Sequence, residues 1–120
     1  MKLHTTQMAQ WRKVKALSIP FYDVTVKSGD RLFAPSWKLL SDYKSGNCTD
    51  EQYTKRFLTE MRGSFHANKQ HWLDFINTEE VVIACYCKAG KFCHRMILVD
   101  IFEKLCNSQG IEFEYKGEIK

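Results

Sequence analysis

Proline and glycine are scarce in this chain. Two prolines and six glycines leave no room for a collagen-like or linker-type sequence, and regular secondary structure is expected over most of the length. No apolar run approaches the roughly 20 residues that span a bilayer, so no membrane partner is expected. The opening Met1-Lys2-Leu3-His4-Thr5-Thr6 is polar and carries no signal-peptide apolar core. A strong charge excess is also missing. The net charge of +4 permits an anionic partner such as a nucleotide or nucleic acid, but it falls short of a dedicated DNA-binding domain.

Cysteine is plentiful. The five are Cys48, Cys85, Cys87, Cys93 and Cys106, an odd count with three crowded into one loop. That distribution fits reduced thiols or metal ligands better than a disulfide framework, and with the polar start it points to a cytoplasmic protein. The 120 residues, 44% of them hydrophobic, can bury one core and are too few for two ordinary domains. Residues 1–120 are expected to form a single α/β domain, with residues 1–13 as an N-terminal extension and His4 in that tail.

Along the chain, Ala16 to Tyr22 is apolar and leads into Asp23-Val24-Thr25-Val26. This predicts a strand over about 15–25, with Pro20 forcing an edge position or a break. Ser36 can cap a short helix over 37–43, closed by Gly46. Thr49 or Asp50 can cap a second helix, on which Tyr53, Phe57, Leu58 and Met61 follow helical spacing until Gly63 ends it. A third helix is predicted over 67–76. Val81 to Cys85 does not alternate, as expected of a central strand covered on both faces. Leu98, Ile101, Phe102 and Leu105 form the core stripe of a helix over 93–107 that Gly110 ends. Ile111-Glu112-Phe113-Glu114-Tyr115 alternates as a half-exposed final strand. The order predicts a small three-layer Rossmann-like α/β domain with a mostly parallel central sheet.

The chemistry is concentrated between Val81 and Arg95, where a strand, a short basic loop and a helix start follow one another. Open α/β sheets bind ligands outside the carboxyl ends of their strands. Three readings of this loop stay open. The first is an anion site: Gly90 lets backbone approach a ligand, the helix N-terminus supplies N–H groups, and Lys88, Lys91 and Arg95 supply charge. The competing structural role for Arg95 is an ion pair with an acid such as Asp23. The second is a reactive thiol, with Cys93 at a helix N-terminus near cations. The phosphatase spacing of a cysteine, five residues and an arginine is absent, because Arg95 is eight after Cys87 and two after Cys93. The third is zinc, for which Cys85, Cys87, Cys93 and His94 are the right ligand types. Their spacing lacks two separated pairs, and adjacent Cys93 and His94 tend to diverge, so no metal site is assigned and no cofactor is named.

Asp23, at the end of the first strand, can face this site if the two strands are neighbours. Ser36 and Trp37 belong to a polar loop that can close over it, with Trp37 as a stacking platform. Tyr53, Arg62, His66 and His71 are further residues that can converge.

The Asp23-Val24-Thr25 segment, Phe33-Ala34-Pro35-Ser36, the Tyr53 to Met61 helix and the run from Val82 through Cys85-Tyr86-Cys87 to Phe92-Cys93-His94-Arg95 together resemble the domain-of-unknown-function 488 (DUF488) family. Cys93-His94-Arg95 opening a helix is the most specific feature. The Cys-Tyr-Cys and its glycine-containing loop resemble the short versions carried by phages. The resemblance covers about 17–115 and implies a Rossmann-like fold without a settled activity. Where the family has Asp-Val-Arg, this chain has Asp23-Val24-Thr25, and it lacks the longer middle segment.

The resulting expectation is a nucleotide- or nucleic-acid-directed, hydrolase-like enzyme. Asp23, Cys93, His94 and Arg95 are its candidate catalytic residues, and Lys88, Gly90, Lys91, Ser36 and Trp37 its candidate ligand-binding residues. The alternatives are a non-catalytic phage-encoded protein that binds a host protein, and a structural zinc domain.

Overall fold

Parallel strands need long crossovers, and right-handed crossovers fix the face on which each connecting helix lies. The computed structural model of the chain describes residues 1–88 and 90–120. Its elements follow as β1 (Lys2–Gln7), α1 (Trp11–Ala16), β2 (Phe21–Asp23), α2 (Trp37–Lys44), α3 (Asp50–Ala67), α4 (Lys69–Ile76), β3 (Glu80–Cys85), α5 (His94–Ser108) and β4 (Glu114–Ile119). The sheet has the order β2-β3-β1-β4, and every pairing is parallel. This is an α/β fold.

The chain steps from β1 over β3 to β2, then reverses and moves back to β3 and across β1 to β4. Right-handed connections therefore place α1 on one face of the sheet and α2 to α5 on the other. Burial follows that division. Leu3, Val81, Ile83 and Cys85 join the residues of α3, α4 and α5 in the main core, whereas the alternate residues Val82 and Ala84 and the α1 residue Val14 are buried outside it. Phe33, Trp72, Phe75 and Phe102 form the aromatic centre of that core, with ring centroids 4.7–5.7 Å apart.

Residues 1–13 are not an extension. Residues 2–7 supply β1, which lies between β3 and β4, and His4 Nε2 lies 2.7 Å from Glu80 on β3. The segment escapes a reading by hydropathy because its buried positions include Thr5 and Thr6. Their hydroxyls bond Tyr115 Oη and the Ile119 carbonyl, which removes most of the cost of burying them.

The strand expected over 15–25 is instead the helix α1, a turn and the three-residue β2 after Pro20. Proline lacks the N–H a ladder needs, so pairing begins behind it. Ser36 caps α2 as expected, accepting from Leu39 N. Thr49 and Gln52 form a reciprocal capping box on α3. Helix α3 passes through Gly63 to Ala67; Gly63 faces open space, and tertiary contacts outweigh its modest helix penalty. The last strand begins at Glu114 rather than Ile111 and contains a bulge opposite Leu3 and His4.

Leu3 is fully buried in β1. Leu3→Ala is expected to lower the unfolding free energy by about 2–5 kcal/mol, measured by urea denaturation. Lys2→Ala, at an exposed neighbour, should change it by no more than about 0.5 kcal/mol.

Candidate functional site

Adjacent β1 and β3 send their connections to opposite faces of the sheet. The gap between their carboxyl ends, where Gln7 pairs with Cys85, is thus the topological switch point at which sheets of this kind bind ligands. Cys85 at the end of β3 and His94 at the start of α5 belong to this end of the sheet.

Cys85 ends β3 and Cys93 is the N-cap of α5. Cys93 is extended (φ −157°, ψ 146°), and His94 is the first helical residue. This change of backbone conformation turns two adjacent side chains toward each other. Cys93 Sγ lies 3.7 Å from His94 Nδ1, in place of the expected divergence. His94 Nε2 lies 2.7 Å from the Val24 carbonyl. A carbonyl only accepts, so Nε2 carries the hydrogen and Nδ1 presents its lone pair to Cys93. The imidazole ring also stands edge-on to Phe57, with centroids 5.5 Å apart. Burial pushes the His94 pKa down, against the opposing effects of the Val24 carbonyl and Cys87.

Arg95 is only 1% exposed. Its Nη2 and Nε donate to Glu118 at 2.9 and 3.3 Å, and its Nη1 reaches Cys85 Sγ at 2.8 Å and the Cys87 carbonyl at 3.0 Å. Burial opposes its charge, but the Glu118 bond and the nearby thiols Cys85 and Cys93 prevail and hold its pKa above the ordinary value. The guanidinium expected to grip an anion is therefore held inside the protein, and its acid partner is Glu118 rather than Asp23.

The three loop thiols divide unequally. Interaction with Cys85 and Cys87, reinforced by burial, raises the Cys93 pKa, and interaction with Cys87 raises that of Cys85. The same interactions, with Cys85 first, lower that of Cys87. Burial acts against this lowering, and the hydrogen bonds from the other two thiols outweigh it; Cys87 is the exposed one of the three. Phe92 anchors the loop against Tyr43 and Tyr53, with ring centroids 5.5 and 5.4 Å apart. Tyr53 is a residue of this neighbourhood in its own right: burial first, then Cys93 and Cys87, raise its pKa.

Asp23 ends β2, which pairs with β3. Its Oδ1 accepts from Thr25 N at 2.8 Å and its Oδ2 from Ser28 Oγ at 2.6 Å. Ser28 Oγ is in turn 2.9 Å from the Tyr86 hydroxyl in the cysteine loop, so Asp23 is linked to the loop through two hydroxyls. The turn depends on Gly29, where a Cβ would lie 2.3 Å from the Asp23 carbonyl oxygen. Lys88, Gly90 and Lys91 are exposed, and Lys91 N donates to the Lys88 carbonyl across the turn. Ser36 and Trp37 are held elsewhere. Ser36 donates to Glu60, and both residues line a groove of about 520 Å³ with Arg31, Glu60 and Ser64 to which the described cysteine-loop residues do not contribute. Arg62 and His66 line a further groove with Trp72 and Lys104.

The sequence reading missed Glu118 and Tyr86. Glu118 lies beyond the alternating stretch that marked the last strand. Tyr86 was visible only as the centre of Cys-Tyr-Cys.

The profile of DUF488-N3a, described as the active DUF488-N3 subclade, matches residues 8–105. The match spans most of the chain, and the protein belongs to the DUF488 family. Neither a curated protein nor a solved structure matches it. Among the described residues no helix is long and apolar enough to cross a membrane.

Arg95 is buried and Glu118 part-buried, so removing the carboxylate leaves a buried charge uncompensated. Glu118→Gln is expected to destabilise the protein by about 3–5 kcal/mol, read from denaturant unfolding. The double variant Arg95→Met/Glu118→Leu should recover most of that loss, and an unrecovered double variant would show that the pair is not what carries the effect.

Proposed function

We propose that this DUF488 protein is a small hydrolase-like enzyme acting on a nucleotide or nucleic-acid ligand at the carboxyl ends of β1 and β3. The observation that carries the reading is the gathering of Cys85, Cys93, His94 and the Arg95–Glu118 pair at the switch point of the sheet. Buried polar groups of this density cost folding free energy that an apolar core would not, and such clusters concentrate at functional sites.

The phosphate of the ligand lies over the exposed Lys88, Gly90 and Lys91, which provide two cations and, at Gly90, a backbone with open space above it. Asp23 is the acid/base. Its carboxylate accepts two hydrogen bonds, from Thr25 N and Ser28 Oγ, which fix its orientation. Cys93 and His94 lie buried beneath the ligand, with the Nδ1 lone pair directed at the Cys93 thiol. Arg95 is a positioning residue: it fixes Cys85 and the Cys87 carbonyl from below. Exposed Trp37, 53% accessible, serves as a base platform for a ligand long enough to extend along the segment that follows β2.

The test is turnover of a panel of nucleoside phosphates and short oligonucleotides, with products separated chromatographically. Asp23→Asn should lower kcat by about 10²–10⁴-fold, the range for loss of a general base. Lys88→Ala/Lys91→Ala should raise KM while leaving kcat nearly unchanged, because it removes binding made equally in ground and transition states. Absence of both turnover and thermal stabilisation by every member of the panel at millimolar concentration would reject the reading.

A further inference from the structure

We infer that Cys85, Cys93 and His94 form a binding site for one zinc ion, with an open fourth position on the side of the Cys87 loop. The ligand atoms of these three buried residues all lie within 4.8 Å of one another, and the Cys93 Sγ to His94 Nδ1 separation is 3.7 Å. Tetrahedral zinc with its usual bond lengths requires about 3.8 Å between two sulfurs and about 3.6 Å between sulfur and nitrogen. A contraction of no more than about an ångström closes the site around the ion.

The supports are those of a metal centre. Cys85 is the last residue of β3 and His94 the first of α5, so regular elements hold the ligands. His94 has its Nε2 hydrogen on the Val24 carbonyl at 2.7 Å, which fixes the tautomer and leaves Nδ1 for the metal. Arg95 Nη1 stands 2.8 Å from Cys85 Sγ as a donor to a thiolate. Charge also balances. A zinc dication with two thiolates is neutral, and the Arg95–Glu118 pair beside it is neutral, so the assembly can be buried without net charge.

Binding is a plain exchange. Two sulfur–zinc bonds and one nitrogen–zinc bond form, the two S–H bonds of Cys85 and Cys93 break, and both protons pass to solvent. Nothing is oxidised or reduced. Cys87 is exposed and interacts with both thiols, but it is not one of the three mutually close ligands; the fourth position is therefore assigned to water, with Cys87 as the rival ligand that Cys87→Ser tests. Three protein ligands with a water is the pattern of catalytic zinc. If the hydrolase reading above holds, that water is the nucleophile.

The experiment uses the full chain purified reduced, with zinc counted by elemental analysis and Co²⁺ titrated while its thiolate-to-metal charge-transfer and tetrahedral d–d bands are followed. The expected result is one zinc per chain in the wild type and in Cys87→Ser. Zinc affinity should fall by about tenfold or more, the scale of a damaged metal shell, in Cys85→Ser, Cys93→Ser and His94→Gln. Chelation of the wild type should lower its Tm, and added zinc should restore it. A folded, reduced wild type that takes up neither zinc nor cobalt overturns the site. Loss of zinc in Cys87→Ser as complete as in Cys93→Ser overturns the open position in favour of a four-ligand closed centre. The two readings separate cleanly. Stoichiometric zinc without turnover leaves the site standing and rejects the enzyme. Full turnover after complete chelation rejects the nucleophilic water and leaves the hydrolase.

Discussion

The pairing of buried Arg95 with part-buried Glu118 is the constraint on which the rest of the site rests. A guanidinium that is 1% exposed cannot remain there without a counter-charge and partners for its hydrogens. Glu118 satisfies two nitrogens from β4, and the third reaches Cys85 and the Cys87 carbonyl. One side chain thus ties the start of α5 to the end of β3, to the loop after it and to the far edge of the sheet. The position of Cys93 and His94 follows, because they are the two residues before Arg95.

The sheet order gives that arrangement its location. With β1 in the interior, β3 and β1 diverge in the direction of their connections, and a crevice opens above Gln7 and Cys85. The helices α2 to α5 then contribute what the crevice lacks. Phe57 and Tyr53 on α3 back the imidazole and the loop, and the extended Cys93 at the head of α5 provides the turn that brings sulfur and nitrogen together. Asp23 joins from β2 through Ser28 and Tyr86.

Much of this was legible in the amino-acid sequence, and the omissions have physical causes. Val81 to Cys85 read as a central strand because residues covered on both faces need no alternation, and Thr49 read as a cap because its hydroxyl has an N–H to accept from. Strand β1 did not read as one. Lys2-Leu3-His4-Thr5-Thr6-Gln7 contains a single strongly apolar residue, and its burial comes from neighbours on both sides and from threonine hydroxyls with distant partners. Local pattern cannot report such partners. The convergence of Cys93 with His94 was hidden for a similar reason: spacing rules assume one backbone conformation, and here it changes between the two residues. Glu118 was hidden because the alternation of the last strand is interrupted at its bulge, where Leu3 pairs with Tyr115 and His4 with Gly117.

The pairing of β1 with β4 has a consequence for synthesis on the ribosome. Lys2 is matched with Glu114 and Thr5 with Glu118, so β1 is synthesised long before its second neighbour exists. Until then β1 presents an unpaired edge, and Arg95 emerges ahead of its counter-charge. Contacts of such sequence separation form late, and nascent chains with open strand edges are vulnerable to misassociation. The cysteine cluster can therefore take its native form only after Glu118 has been synthesised and β4 has paired with β1.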